Sequence, residues 1–474
     1  MESRDKKFYL VKTVKILIGV ALALLIFQIK PTETLTFEAI RYLGIFAAFV
    51  FWLLSGAMSD VACALVALTS FTVFGVSDFG TAFGQFNGSV VWTILTVFAV
   101  ANTANETGIF KRIALNIIKL FPAGYKGQVA AVLVTGSVLC PMIPSTNAKA
   151  AIMGPLAGNI IKEMGYKAHS NGAAGLASAL WIAVGSNAHC TYTGSPNVLL
   201  MLGVLGGTFA TYFNFGNWLL ACSVGLIISL VCTFFCIQWF YKPEVDTKVD
   251  KDFVPKLLRD MGPMSGDEKY AAGVLVCMLI LWCLPNLTGL SSVTVAIMGV
   301  LAFMFKGLLT PKQLCTRIPW NLVIWIGGIM GVAGMMNTVG LNTWLSETLS
   351  PYLGWMMVNR YVCVICVCIV TYLLRTVVNS PITVMTILYF ILGSSAEAAG
   401  IGAFTVCMSC LFAGNCWHTY YNNPLLNTNL ASCNVGAGFE AVAYRDTLKM
   451  QWCFMIFTIL ECVASVPLWM MMGL

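Results

Sequence analysis

The sequence predicts an all-α protein that crosses a membrane about eleven times and also carries two re-entrant helical hairpins. Three observations predict this fold class. The chain is 58% apolar and only 10% charged, whereas soluble domains are roughly 45–50% apolar and about 25% charged. Apolar segments near the length of one membrane span recur along the chain. Two further apolar segments contain a polar, proline-containing interruption at their centre.

The eleven predicted spans are residues 14–29, 40–54, 61–76, 90–104, 173–202, 218–239, 271–287, 293–305, 322–336, 404–417 and 452–472. The interrupted segments are 128–161, broken at 144–147, and 352–393, broken at 379–381. Each half of an interrupted segment is too short to span the bilayer. Since a polar break at bilayer depth needs protein or water around it, each segment predicts a hairpin that enters and leaves on one side.

The distribution of basic residues predicts the orientation. With the amino terminus inside, 22 of the 27 Lys and Arg residues fall in inner segments, as expected for cytoplasmic loops. The net charge of +7 is therefore an orientation signal, and no nucleic-acid partner is expected. The sequence predicts an integral protein of the cytoplasmic membrane, in contact with the lipid bilayer.

An internal repeat relates two halves of the chain, separated by a linker at 241–270 that holds 13 of the 47 charged residues. Four residues recur 228 positions later: Asn187, Thr191, Tyr192 and Pro196 match Asn415, Thr419, Tyr420 and Pro424. Gly108 matches Gly340 at an offset of 232, and the two hairpin breaks match at 234. Five crossings in each half give the halves opposite orientations, so the repeat is predicted to be inverted.

Inverted repeats with broken helices place a binding site near the bilayer midplane, where helix amino termini attract anions and unwound carbonyls attract small cations. The predicted site combines the two hairpin tips with the segments 185–197 and 414–423. Polar residues can also serve helix packing alone, but their symmetrical clustering around Pro and Gly favours a site. The polar candidates for substrate binding are Ser145, Thr146, Asn147, Asn187, Thr191, Asn379, Ser380, Asn415 and Thr419.

Four ionisable side chains belong to the same elements: Lys149, His189, Arg375 and His418. A buried charge in lipid is costly enough to indicate function, and Lys149 is the preferred anion-binding residue. The sequence does not decide whether the histidines contact substrate or serve packing. For Arg375 the alternatives are substrate contact and a structural ion pair. Three carboxylates have two possible roles: Glu106, Glu397 and Glu461. They could serve proton coupling, but an interfacial or ion-paired position is preferred for each.

At these motifs the chain resembles the divalent anion:sodium symporter family, which includes di- and tricarboxylate carriers. Residues 144–149, Pro-Ser-Thr-Asn-Ala-Lys, are similar to the Pro-Ser-Asn-Thr-Ala-Arg hairpin motif of its citrate/succinate and 2-oxoglutarate/malate exchanger-like branch. Residues 194–197, Gly-Ser-Pro-Asn, resemble the stretch after the family's unwound helix, and 261–269 resemble the entry into its seventh helix.

The resemblance implies a homodimeric elevator without a cofactor, in which a transport domain carries the site past a static scaffold. The scaffold would comprise residues 1–126 and 271–350, and the transport domain 127–240 and 351–474, with the linker at 241–270. Sodium would be the coupling ion. Its ligands, carried over by position, would come from Ser145, Thr146, Asn147, Gly194, Asn379 and Ser380.

The departures from the family pattern concern the cation sites. The second tip reads Asn379-Ser380-Pro381, which lacks one hydroxyl ligand, and Arg375 stands where sodium-coupled relatives carry another. A guanidinium group has donors and no acceptor, so it cannot ligate sodium. We therefore expect Arg375 to replace one sodium ion, and the protein to exchange one small di- or tricarboxylate for another.

The sequence is also compatible with other functions. A sodium-coupled carboxylate or sulfate symporter would keep the family and change the coupling or the ligand. A cation or proton antiporter is disfavoured because the predicted site holds Lys, Arg and His where an acidic residue would be needed. An intramembrane enzyme is disfavoured because no nucleophile or metal-ligand motif is present.

Overall fold

The computed structural model describes residues 2–206, 209, 212–245, 247–416, 418, 419, 421 and 423–474, with side chains from residue 8 onward except those at 286, 337, 343 and 350. Within this part of the chain the secondary structure is helical, and the isolated β-bridge between Gly124 and Lys248 forms no sheet. The predicted all-α fold class is confirmed.

Several helices of the first half begin at side-chain caps. Thr36, Ser59, Ser170 and Asn214 each accept a hydrogen bond from a backbone amide of the following turn. In chain order the helices are α1 (Glu2–Ile26), α2 (Phe37–Ser55), α3 (Asp60–Val73), α4 (Phe79–Phe83), α5 (Ser89–Glu106), α6 (Ile109–Ile118), α7 (Tyr125–Leu139), α8 (Thr146–Glu163), α9 (Asn171–Val184), α10 (Pro196–Leu205) and α11 (Phe215–Phe240).

The second half starts inside the predicted linker, which is more ordered than its hydrophilic composition indicated. A helix occupies Phe253–Asp260, and the next helix begins at Gly266 through a capping box between Ser265 and Glu268, five residues before the predicted span. The helices are α12 (Phe253–Asp260), α13 (Gly266–Cys283), α14 (Pro285–Thr288), α15 (Ser292–Lys306), α16 (Pro311–Arg317), α17 (Trp320–Thr338), α18 (Leu341–Leu353), α19 (Arg360–Arg375), α20 (Pro381–Ala398), α21 (Ala403–Ala413), α22 (Pro424–Ala437) and α23 (Leu448–Met471).

The two halves repeat the same order of helices, from α5 to α11 and from α17 to α23. Gly108 and Gly340 precede the equivalent helices α6 and α18, both in the left-handed conformation, with φ of 87° and 70°. Ser145 and Ser380 cap α8 and α20, each 18 residues long. These serines are 235 positions apart, one more than the predicted offset, so Cys140 is the equivalent of Arg375.

Both predicted hairpin breaks are present as interruptions between helices. A 3-10 turn at Cys140–Met142 and three further residues separate α7 from α8, and residues 376–380 separate α19 from α20. The 173–202 span is divided by a 3-10 turn at Ser186–Cys190, as expected for its unwound segment. The corresponding interruption lies between α21 and α22.

Six helical segments in the described residues are long and apolar enough to cross a membrane, and a seventh consists of the bent pair α16 and α17, at 66°. Other apolar helices, including α3, α10, α15 and α21, are shorter than one span. Trp239 and Phe305 are 77% and 87% exposed, as expected for side chains that face lipid. The structure thus supports an integral membrane protein, while the count of eleven crossings stays a prediction.

Helices α8 and α22, one from each half, pack closely against each other. A Cβ atom added at Gly154 would lie 2.5 Å from the Cβ of Ser432, and one added at Gly158 would lie 2.0 Å from the Cys433 carbonyl oxygen. Small residues at helix interfaces allow this proximity, and packing of this kind holds helices together where lipid removes the hydrophobic driving force. The first hairpin is therefore anchored on a helix of the second half.

Replacing Gly158 by Val should separate α8 from α22, because an overpacked contact lowers the free energy of unfolding by about 1–3 kcal/mol or more. The detergent-solubilised variant should therefore melt at a lower temperature than the wild type. Gly273→Val is the matched control, because Gly273 also lies in a helix but has open space around its Cβ direction. Thermal unfolding of both variants measures the difference. Equal melting temperatures would contradict the assigned contact.

Candidate substrate-binding site

The first hairpin tip is formed where α7 gives way to α8. Ser145 ends the non-helical stretch, and its Oγ accepts a hydrogen bond from the Ala148 amide at 3.3 Å. Thr146 and Asn147 then lie in the first turn of α8, where backbone N–H groups have no partner within the helix. The tip therefore presents hydroxyl and amide groups together with the positive end of a helix dipole.

The unwound segment after α9 lies beside this tip. Ser195 caps α10 by accepting from the Asn197 amide at 3.3 Å, and Pro196 occupies the first helical turn. The Thr193 hydroxyl donates to the Pro141 carbonyl oxygen at 2.6 Å, which joins the segment to the hairpin break. Two helix amino termini, of α8 and α10, consequently meet at one place.

A cavity of about 320 Å³ lies at this meeting point. It brings together four of the predicted site residues: Ser145, Thr146, Asn147 and Asn415. The rest of its described lining is Phe98, Pro144, Trp181, Gly185, Ser195, Pro196, Asn197, Pro319, Asn321, Leu322 and Leu425. None of these described residues is acidic, so hydroxyl groups, amides and two helix amino termini favour an anion in the cavity.

Several lining residues were not among the individually predicted binding residues. Ser195 and Asn197 belong to the motif that carried the family resemblance, so their position was available from the sequence. Asn321 and Phe98 come from α17 and α5, which the domain prediction assigns to the scaffold. Only the packing of distant helices places them here, and no local sequence signal indicates it.

Lys149 lies beneath the cavity wall, on α8, and is fully buried. Its ammonium group donates to the Gly194 carbonyl oxygen at 2.8 Å and lies 3.6 Å from the Cys140 sulfur. Among the described residues no carboxylate lies within 4.0 Å of it. The ammonium group is thus bound to a carbonyl that was predicted to ligate sodium.

Arg375 has the corresponding role at the second hairpin. Its Nε donates to the Gly414 carbonyl oxygen at 2.9 Å, and its Nη1 donates to the carbonyl oxygens of Val378, at 2.6 Å, and Asn379. Gly414 directly precedes Asn415, which lines the cavity. The guanidinium group therefore lies on a cluster of carbonyls at the end of one helix and the start of the hairpin tip.

Asn187 and His189 lie on the 3-10 turn after α9, buried behind the cavity. The Nδ1 of His189 is 3.0 Å from the Asn415 Nδ2, and the Asn187 Oδ1 accepts from the Ser229 hydroxyl at 2.7 Å. Thr191, also buried, donates to the Ala188 carbonyl oxygen at 3.3 Å. These three predicted residues are outside the described lining of the cavity, and His189 contacts that lining through Asn415.

The second hairpin tip is not part of the 320 Å³ cavity. Asn379 is exposed, and Ser380 caps α20 by accepting from the Thr383 amide at 3.3 Å. His418 is half-buried with its ring 6.2 Å from that of Trp452, and Thr419 is also half-buried. Tyr420, predicted as the partner of Tyr192 in the repeat, lies outside the described residues.

The carboxylates have different surroundings. Glu106 forms an ion pair with Arg317, and Glu397 accepts from the Ala403 amide at 2.8 Å, whereas Glu461 is 1% exposed. A larger cavity, of about 550 Å³, has Glu347 and Glu397 in its lining. Because those carboxylates would repel an anion, the smaller cavity is the candidate binding site.

The fold and the sequence are similar to those of known transporters. The solved structure of the YdaH transporter of Alcanivorax borkumensis matches with a TM-score of 0.60 over 98% of both chains at 14% identity, which supports the fold. Dicarboxylate transporter 1, chloroplastic, of Arabidopsis thaliana is 26% identical over 72% of this chain and 62% of its own length. A putative malate transporter of Bacillus subtilis, YflS, is 23% identical over 72% of each chain.

The chain spans about three fifths of the length of the chloroplast relatives that it matches. The family model described as the sodium:sulfate symporter transmembrane region matches residues 10–474, nearly the whole chain. The resemblance seen in the hairpin motif is therefore confirmed along the sequence, and the chain belongs to the sodium:sulfate symporter family.

Proposed function

We propose that the protein is a secondary active transporter that exchanges one small di- or tricarboxylate for another across the cytoplasmic membrane. The observation that carries this proposal is the pair of side-chain cations at the broken helices. Lys149 binds the Gly194 carbonyl, and Arg375 binds the Gly414 carbonyl and those of the second tip. The printed names of the chloroplast and Bacillus relatives, which refer to dicarboxylate and malate, support the class of substrate.

The cavity suits a carboxylate for a simple reason. An anion that leaves water must receive replacement hydrogen bonds, and Ser145, Thr146, Asn147, Asn197 and Asn415 supply hydroxyl and amide groups for that purpose. Lys149 and Arg375 lie behind the wall and hold positive charge close to the bound anion. Their contribution is long-range attraction in a medium of low dielectric constant.

Sodium fits poorly at the same carbonyls. A sodium ion needs oxygen acceptors that point into an open space, and the Gly194 oxygen already accepts from an ammonium group. The Gly414 oxygen accepts from a guanidinium group in the same way. A second cation at either position would be repelled by the first, so the protein supplies tethered charges where a coupled symporter would bind ions.

Tethered cations favour exchange over net uptake. When the substrate leaves, Lys149 and Arg375 remain in the moving part of the protein as charges without the anion. Moving such charges through the low-dielectric barrier is costly, while movement with a bound anion is less so. The empty site would therefore return slowly, and a second carboxylate would be needed for the return step.

The proposed transporter has a static scaffold and a moving transport domain. The transport domain would comprise residues 127–240 and 351–474 and move against the scaffold as an elevator, in a homodimer with its amino terminus in the cytoplasm. The packing of α8 against α22 supports one part of this division, because both helices fall in the proposed transport domain and contact each other closely.

A sodium-coupled carboxylate or sulfate symporter is the second candidate, since the family's description favours it. Competition by succinate, citrate or sulfate separates the ligands, and replacement of sodium separates the coupling. A cation or proton antiporter has less support, because the described lining of the cavity holds no carboxylate to bind its cargo.

Purified protein in liposomes should take up labelled succinate only when unlabelled succinate is present inside, and equally in sodium and choline buffers. This result follows from tethered cations that replace the coupling ions. Uptake that needs a sodium gradient and no internal substrate would identify a symporter instead. If succinate fails in both buffers, the same exchange assay with citrate, tartrate and sulfate identifies the anion.

Arg375→Ser should lower exchange in choline by about tenfold or more, because unpaired buried carbonyls cost about 1–3 kcal/mol each. Part of the loss should return when sodium is added, since a hydroxyl group and freed carbonyls form a cation site. Arg375→Lys should keep sodium-independent exchange. Arg360→Ser removes an arginine from the other end of α19 and serves as the control. Unchanged, sodium-independent exchange in Arg375→Ser would refute this role.

Asn147→Asp should place a negative charge at the exposed tip of the first hairpin and weaken anion binding. We expect the half-saturating substrate concentration to rise at least about tenfold, which corresponds to about 1.4 kcal/mol. Asn116→Asp, an equally exposed change on α6, should leave it unaltered. Concentration-dependent uptake measures both variants, and equal values for the two would show that the substrate binds elsewhere.

A further inference from the structure

Glu461 is a carboxyl group that the proposed exchange does not use. It lies in the middle of α23, is 1% exposed, and its Oε1 has no hydrogen-bond partner among the described residues. No Lys, Arg or His nitrogen of the described residues lies within 4.0 Å of it. A buried carboxylate without a compensating cation is strongly disfavoured, so this surrounding favours the neutral, protonated acid.

The carboxyl group connects to the binding site through Ser229 on α11. Ser229 interacts with the Glu461 side chain, and its hydroxyl donates to the Asn187 Oδ1 at 2.7 Å. A serine hydroxyl has one hydrogen to donate. While that hydrogen is used toward Asn187, Ser229 does not donate to Glu461, and its oxygen can accept only from a protonated carboxyl group. This arrangement gives a carboxylate at Glu461 no hydrogen bond from Ser229, which favours the protonated form.

Loss of this proton would reverse the chain of hydrogen bonds. The Ser229 hydroxyl would turn to donate to the carboxylate, and the amide of Asn187 would rotate so that its Nδ2 donates to the Ser229 oxygen. That Nδ2 is buried and has no partner in the present arrangement. The two arrangements use the same three side chains, and they differ by one proton, which passes to water, and by the orientation of one amide.

Asn187 lies two residues from His189, whose Nδ1 is 3.0 Å from Asn415 in the cavity wall. The Trp218 indole nitrogen donates to the His189 carbonyl oxygen at 2.9 Å. Helix α11 therefore contacts the same turn at Asn187 and at His189. A change at Asn187 therefore acts on the segment that carries the cavity wall. Both Ser229 and Glu461 belong to helices of the proposed transport domain.

We propose that Glu461 is a proton-binding site carried by the transport domain, and that its protonated form is the one that moves during exchange. A deprotonated Glu461 would carry an uncompensated negative charge through the low-dielectric barrier, which slows the moving step. The inference rests on the proposed function, and it adds a proton as a ligand that controls the rate.

The other titratable groups near Glu461 are thiols and a phenol. Electrostatic interactions connect it with Cys232 on α11, Tyr372 on α19 and Cys462 on its own helix. Cys368 and Cys410 follow on α19 and α21, next to Cys462. Arg375 lies one turn beyond Tyr372, where its described hydrogen bonds go to backbone carbonyls. In their ordinary neutral forms, the thiols and the phenol supply no charge opposite the carboxyl group.

The test compares the pH dependence of succinate counterflow in the wild type and in Glu461→Gln. Above the titration midpoint the wild-type rate should fall by up to about tenfold for each pH unit, because one proton must bind for movement. Glu461→Gln, a neutral isostere, should keep its rate over the same range. Glu163→Gln, an exposed change on α8, is the control and should follow the wild type. Ionisation of the substrate is the same for all three proteins.

A wild-type pH profile in Glu461→Gln would overturn the inference while leaving the proposed exchange intact, since counterflow itself is still present. Loss of counterflow in all proteins at every pH would instead contradict the proposed function. Infrared spectroscopy then tests whether Glu461 is protonated, independently of transport. The C=O band of a protonated carboxyl group should be missing in Glu461→Gln and shifted in Ser229→Ala, and an unchanged band in both variants would overturn the inference.

Discussion

The bond from the Lys149 ammonium group to the Gly194 carbonyl oxygen is the contact on which the site depends. A fully buried lysine is tolerable only if polar groups replace its hydration, and a broken helix is tolerable in a membrane only if its carbonyls find donors. Each element thus satisfies the other. Arg375 and its partners satisfy each other in the same way, since the guanidinium group binds the carbonyls of Gly414 and the second tip. The helix breaks and the two cations therefore depend on each other.

The repeat explains why two such contacts exist without identical residues. Ser145 and Ser380 cap equivalent helices, and alignment on them makes Cys140 the equivalent of Arg375. The Lys149 ammonium group lies 3.6 Å from the Cys140 sulfur. Lys149 is on α8, the opposite arm of the first hairpin, yet its charge lies beside the residue equivalent to Arg375. Different side chains bring positive charge to equivalent places. Symmetry of function is thus preserved in the location of the charge, while the sequence positions that supply it differ.

Much of this arrangement was predictable from particular residues. The breaks at 144–147 and 379–381 were evident because Pro, Ser and Asn interrupt otherwise apolar segments, and Arg375 stood out because a cation replaced an expected hydroxyl group. Helix α12 was missed because a short helix in a charged linker lacks a long apolar pattern. Asn321 was missed because its contribution depends on how α17 packs against the hairpin. Periodicity also cannot show that Glu461, one carboxylate among several, has no cation beside it in the described residues.

The close contact between α8 and α22 also constrains how the protein is made. Gly158 packs against Cys433 and its neighbours, yet these residues leave the ribosome about 270 positions later. At about 5–20 residues per second, the first hairpin waits for roughly 15–50 seconds before its partner exists. During that interval its polar tip and the Lys149 charge have no completed protein interior around them. Membrane insertion of the first half must therefore tolerate an unassembled hairpin, whether at the interface or against the insertion machinery, until the second half closes over it.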